Sequence, residues 1–142
     1  MSDAAERVGS LFPDGLTGAP KTSGAYLLLI ELEQVLSGTI GNRAFSLMPG
    51  TYAYCGSANG PGGIAARVAR HLRREKKLHW HVDQLTLAAS SISALAFPGG
   101  SECTLVQRLC SDAGALPPVE GFGSSDCKHC PAHLLLLQPP LT

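Results

Sequence analysis

The chain has 142 residues, which suits one domain with a real core. A hydrophobic fraction of 44% against 15% charged residues excludes an intrinsically disordered chain. No apolar run approaches the roughly 20 residues that span a bilayer, so no membrane partner is expected. The formal net charge is zero, so any polyanion site has to be a local patch. The first residues lack a basic segment followed by an apolar core, and no secretory signal is expected. Five cysteines, an odd number without disulfide-framework spacing, fit a reducing cytoplasm.

Residues 1–23 mix Asp, Gly, Pro, Ser and Thr with little periodicity. They read as a mobile arm, followed by a single domain over 24–138 and a short tail over 139–142. Residues 24–32 are apolar and strand-like. Residues 38–42 look like a turn region before a second strand at 43–47, and Met48, Pro49 and Gly50 are turn residues. A third strand covers 51–55, with Tyr52 and Tyr54 on one face by the two-residue period. Together these segments predict an antiparallel meander.

Asn59 to Gly63 is turn chemistry ahead of a helix. Ile64, Val68 and Leu72 repeat at i, i+4 and i+8 and predict its buried stripe. Arg67, Arg70, His71 and Arg74 predict a cationic face. Six of the eleven Lys and Arg residues fall between Arg67 and Lys77, offset only by Glu75: Arg67, Arg70, Arg73, Arg74, Lys76 and Lys77. Residues 79–87 suit a short helix and 92–97 a strand. Glu102 to Asp112 reads as a helix with Leu105, Val106 and Leu109 inward, ending near Gly114. Residues 132–137 make a last strand. The expected fold class is α+β, a small mainly antiparallel sheet flanked by helices.

Several side chains carry chemistry, each beside an ordinary structural alternative. Tyr26 and Tyr54 lie on neighbouring strands and can share a pocket, although tyrosine is simply a good half-buried strand residue. Arg67 and His71 sit one turn apart, suited to phosphate oxygens and to a proton near neutral pH. A solvated helix face is the alternative, weakened by the patch's single sign. Glu102 can hold Mg²⁺ near a phosphate or merely complement a helix dipole. His79, Trp80, His81 and Asp83 form a polar-aromatic cluster in which His81 and Asp83 can share a hydrogen bond; satisfied histidines around a buried Trp are the alternative. Cys127, Cys130 and His133 give C-x2-C-x2-H, short of the four ligands of a structural zinc site unless Cys103 or His129 supplies another.

With these residues in hand, the chain resembles the GIY-YIG nuclease superfamily, in particular its small Uri-type branch, known as stand-alone domains and as fusions to repair glycosylases. Gly24-Ala25-Tyr26 resembles the first signature element and Tyr54-Cys55-Gly56 the second. Ile64 to Val68 resembles the helix with its catalytic arginine, here Arg67. His71 falls where many members carry His or Tyr, and Glu102 is similar in setting to the single metal-binding glutamate. The segments Arg70 to Leu72, His79 to Asp83, Glu102-Cys103 and Gly121 to Cys127 resemble the branch's own signature. Ala25 and Cys55 replace the usual Ile, and the gap between the two elements is longer than in the shortest members.

The resemblance implies a metal-dependent endonuclease hydrolysing DNA phosphodiesters, with a link to DNA repair through the fusions. Catalytic residues would be Tyr26, Tyr54, Arg67, His71 and Glu102, with Glu102 holding Mg²⁺ or Mn²⁺. Tyr26 would be the base, its phenol lowered from about 10 by the ion and Arg67, with Tyr54 and His71 orienting the water or sharing the proton. Arg70, Arg73, Arg74, Lys76, Lys77, His79 and His81 would hold flanking phosphates. Specificity would come from a protein partner, a homo-oligomer or DNA structure. A non-cleaving nucleic-acid-binding module and a zinc-binding or redox protein are the alternatives.

Overall fold

The computed structural model describes residues 3–40, 42–77, 82–118 and 133–137, with side chains from residue 6 onward. His79, Trp80, His81, the segment 121–127, Cys127, His129 and Cys130 lie outside the described residues. The chain order is α1 (Asp3–Leu11), β1 (Gly24–Leu32), β2 (Leu36–Ile40), β3 (Arg43–Leu47), β4 (Gly50–Ala58), α2 (Gly63–Leu72), α3 (Val82–Ala88), β5 (Ser91–Pro98), α4 (Glu102–Asp112) and β6 (Leu134–Leu136). The fold class is α+β, as expected from sequence. A four-stranded antiparallel sheet runs β5-β1-β4-β6, and β2 and β3 form a separate two-stranded sheet.

β1 reads as a nearly unbroken apolar run because it is a central strand covered on both faces. Its alternation splits the core. Tyr26, Leu28, Ile30 and Leu32 join one cluster with Tyr52, Tyr54, Ile64 and Val68. Ala25, Leu27 and Leu29 join another with Ala53, Cys55, Leu105, Val106 and Leu109. Two helices, α2 and α3, therefore lie on the tyrosine face, while α1 and α4 lie on the opposite face. α4 has the bounds and the inward residues that its period predicts, and Gly114 follows it at φ 65°.

The expected meander is not formed. β3 pairs with β2, the segment read as a turn, and β1 pairs directly with β4. Period-two alternation identifies strands but not their partners, and the β2–β3 hairpin closes more locally than a three-strand ribbon. The outcome brings Tyr26 opposite Gly56 and Leu28 opposite Tyr54 on adjacent strands.

The lead-in is also better anchored than an arm. α1 buries Val8, and Phe12 just beyond it stacks edge-on against Phe97 at 5.4 Å. Leu16 exchanges two backbone hydrogen bonds with Ala96, 2.9 and 2.8 Å, along the outer edge of β5. At the sheet's other edge, Leu116 does the same with Leu136 at 3.1 and 2.7 Å. Both side-chain anchors lie one helical turn apart, Val8 and Phe12, which a composition rich in turn residues obscures.

Candidate functional site

α2 begins at two glycines in the left-handed region, Gly62 at φ 82° and Gly63 at φ 57°. A Cβ at Gly63 would collide with the Thr22 carbonyl. The close approach lets Ile64 N–H donate to Thr22 O (2.9 Å) and Ala65 N–H to Pro20 O (2.8 Å). The first amides of α2 thus bind the lead-in, which supplies main-chain caps in place of a side chain.

The helix then turns His71 inward. At about 100° per residue, position 71 lies about 20° from the direction of Ile64, while position 72 lies about 80° away. Ile64 and Val68 are buried as expected, but Leu72 is 45% exposed and His71 is fully buried in its place. The Nε2 of His71 is 2.7 Å from the Tyr26 hydroxyl. The rings of Tyr26, Tyr54 and His71 form a triangle with centroid separations of 6.4, 5.4 and 5.8 Å. The Tyr26 ring lies over Gly56: a Cβ there would overlap the ring and reach within 2.5 Å of the hydroxyl. Gly56 on β4 therefore makes room for Tyr26 on β1.

Burial decides the protonation of this triangle. It pushes the Tyr26 phenol far above its ordinary range, with Tyr54 adding to the rise and Arg67 opposing it. Tyr54 is pushed up to about 12, again first by burial. The imidazole of His71 is pushed down to about 4, by burial and then by Lys76. All three groups are neutral near pH 7. In the tautomer with Nε2 unprotonated, Tyr26 O–H donates to it. The lowered phenol was expected from a bound ion together with Arg67; Arg67 by itself does not outweigh the desolvation of Tyr26.

Three charges act on the Tyr54 phenol: Asp83 of α3 raises its pKa, Arg67, half-buried on α2, lowers it, and Glu102, half-buried in the first turn of α4, raises it. Glu102 comes from the opposite face of the sheet. Close to it stand Cys103, beside it on α4, and His133, just before β6. One ligand atom from each of the three lies within 4.8 Å of the others. The backbone places His133 there, since Cys55 N–H donates to His133 O at 2.9 Å. Of the cysteine motif, only His133 falls within the described residues.

The basic segment divides into two classes. Arg70 turns both guanidinium nitrogens onto fully buried Asp83 of α3, at 2.9 and 3.0 Å, and also donates to Lys77 O. That pairing raises the guanidinium's proton affinity. Lys76 Nζ donates to His71 O (2.7 Å) and to Thr86 Oγ1 (2.8 Å). It caps the carbonyl end of α2, where a cation suits the helix dipole. Arg74 donates to Ala89 O at 3.0 Å. These three side chains fasten α2 to α3 and to the turn after it. Arg73 and Lys77 are exposed. The resemblance offered all of them to phosphates, and the sequence let Asp83 either share a hydrogen bond with His81 or sit among satisfied histidines around a buried Trp. The missed signal was Asp83 itself, an acid between Val82, Leu85 and Thr86 on a buried face, which demands a cation. Cys103 was offered from the sequence as a further ligand beside His133; Glu102 was not brought into that group, since about thirty residues separate it from His133.

No helix among the described residues is long and apolar enough to cross a membrane. No curated protein matches the chain. No solved structure matches it. The model of one family, described as "Domain of unknown function DUF123", matches residues 25–141, from the strand that carries Tyr26 through β6. The chain belongs to that family.

Proposed function

We propose that the protein is a metal-dependent endonuclease of the GIY-YIG type, hydrolysing phosphodiester bonds in DNA, with a cytoplasmic role in DNA repair. The observation that carries this reading is the buried triangle of Tyr26, Tyr54 and His71, closed by the 2.7 Å hydrogen bond between Tyr26 and His71, with Arg67 and Glu102 both acting electrostatically on Tyr54. That set holds the groups a phosphodiester hydrolysis needs: a proton acceptor, a cation for the developing charge and a carboxylate for a metal ion.

The part-exposed carboxylate of Glu102 fits a divalent ion, Mg²⁺ or Mn²⁺ in the first instance. When bound, the ion supplies charge neutralisation at the scissile phosphate. Arg67 holds a non-bridging oxygen and stabilises the charge that builds there. Tyr26 takes a proton from the attacking water while passing its own to His71 Nε2, so the buried phenol never carries a charge. A nearby phosphate anion raises the proton affinity of His71 and assists the transfer. Tyr54 orients the water. Arg73 and Lys77 hold flanking phosphates without reading sequence.

The test is a panel of labelled duplex, single-stranded, branched and damaged DNAs, incubated with Mg²⁺, Mn²⁺ or chelator. Cleavage is expected only with the ion. Glu102→Gln keeps the shape and removes the charge, so it should bind DNA and not cut. Undiminished cleavage by that variant would remove Glu102 from the mechanism. Binding without cleavage under every ion would leave a nucleic-acid-binding module.

A further inference from the structure

The carboxylate of Glu102 suits magnesium, but its neighbours suit a softer ion better. Magnesium prefers hard carboxylate, carbonyl and water ligands in an octahedron, whereas thiolate and imidazole select zinc and its kin. Beside the Glu102 carboxylate stand one thiol and one imidazole, with ligand atoms within 4.8 Å of one another. Among the described residues this is the one cluster of three such groups. A tetrahedral zinc site with bonds of about 2.0–2.3 Å has ligand–ligand edges of roughly 3.5 Å. Closing from 4.8 Å needs movement of about an ångström, within reach of side-chain rotation at the first turn of a helix.

A second, independent observation points to a ligand. His133 is only 6% exposed, and its Nε2 is buried with no hydrogen-bond partner among the described residues. A buried imidazole nitrogen left without a partner carries a desolvation cost. Ligation of a metal ion through that nitrogen would remove it. Cys103 is a thiol rather than a disulfide, so its sulfur can ligate without reduction.

We infer that Glu102, Cys103 and His133 form a binding site for a zinc-class divalent ion. Three protein ligands leave the fourth tetrahedral position open, the arrangement of catalytic rather than structural zinc. The ion ties the start of α4 to the start of β6, two elements that chain connectivity leaves far apart. As the identity of the ion beside the proposed nuclease centre, the inference rests on that reading; as a statement about binding, it stands on the donor set alone.

The experiment uses the full chain, stripped with chelator and titrated with Zn²⁺ and, as a spectroscopic probe, Co²⁺. One equivalent of Zn²⁺ should bind. Co²⁺ should give the intense visible bands of a tetrahedral site and a thiolate charge-transfer band. Cys103→Ser should abolish the charge-transfer band even though Cys127 and Cys130 remain. Glu102→Gln, Cys103→Ser and His133→Gln should each lose more zinc affinity than the 10–100-fold typical of an outer-shell partner. Circular dichroism of each stripped variant should match that of the stripped parent, which separates lost ligation from lost folding. A stoichiometry of zero, or a charge-transfer band that survives Cys103→Ser, would overturn the inference. Neither result touches the nuclease reading if DNA is cut with Mg²⁺. Conversely, one bound zinc with no cleavage under any ion would sink the nuclease reading and leave the metal site standing.

Discussion

The two faces of the four-stranded sheet are built from the same strands but bury different kinds of matter. The face under α1 and α4 is sealed by aliphatic and aromatic side chains, with Cys55 among them. Burial pushes that thiol up, so it stays protonated and inert. The face under α2 and α3 buries Tyr26, His71 and Asp83 as well. It offsets their desolvation with one 2.7 Å hydrogen bond and one two-pronged ion pair. The first arrangement needs only shape and volume. The second needs every partner present, which makes it both the fragile face and the one with chemistry to offer.

The largest effect should come from removing one member of the ion pair. Arg70→Ala strands a fully buried carboxylate, and such losses cost about 3–5 kcal/mol. Urea unfolding should report it as a lower midpoint. The double substitution Arg70→Met with Asp83→Leu makes this region resemble the apolar face and should recover most of the loss. A single variant as stable as the parent would mean that the pair is not holding α2 to α3.

Acid should separate the faces next. His71 binds a proton near 6.5 when unfolded and near 4 when folded. Between those values the unfolded chain holds more protons, so stability rises with pH and is lost as pH falls through the window. The loss is about 3 kcal/mol by pH 4, from a difference of roughly 2.5 units at 1.36 kcal/mol each. Thermal melts across pH 4–7 should show this slope, and His71→Gln should flatten it. An unchanged slope in the variant would assign the acid sensitivity elsewhere.

The finest division lies within the basic segment. Arg67→Ala should lower the single-turnover cleavage rate by on the order of 100-fold with affinity nearly intact, as for a lost electrostatic stabiliser. Arg73→Ala combined with Lys77→Ala should weaken all substrates alike and reduce the salt dependence by about one log–log unit per lost contact. Identical profiles for the two variants would make the whole helix a binding face.

Much of this was readable in advance. β1 and β5 declare themselves by apolar runs, and α4 by its period and its trailing glycine. Arg67 and His71 stand out because a single-signed charge run follows a glycine turn. What escaped depends on interactions between distant segments. Leu72 looked like the buried residue because hydropathy ranks it above His71; helix geometry chose the histidine, and a tyrosine 45 residues away made its burial tolerable. Lys76 looked like a phosphate ligand because nothing local shows that its charge is committed to the end of α2 and to Thr86. Strand partners were invisible for the same reason, since the β2–β3 hairpin and the β1–β4 pair differ in closure and not in pattern.

The lone residues that bond to the outer strands, Leu16 at β5 and Leu116 at β6, bear on how copies of this chain can associate. An open sheet border is a template onto which another chain can add a strand. Here each border has part of its donors and acceptors already occupied. A second copy adding a strand across Ala96 or Leu136 has to evict Leu16 or Leu116 first, giving up two backbone hydrogen bonds. Strand addition at these two positions is therefore opposed by contacts that the chain makes with itself.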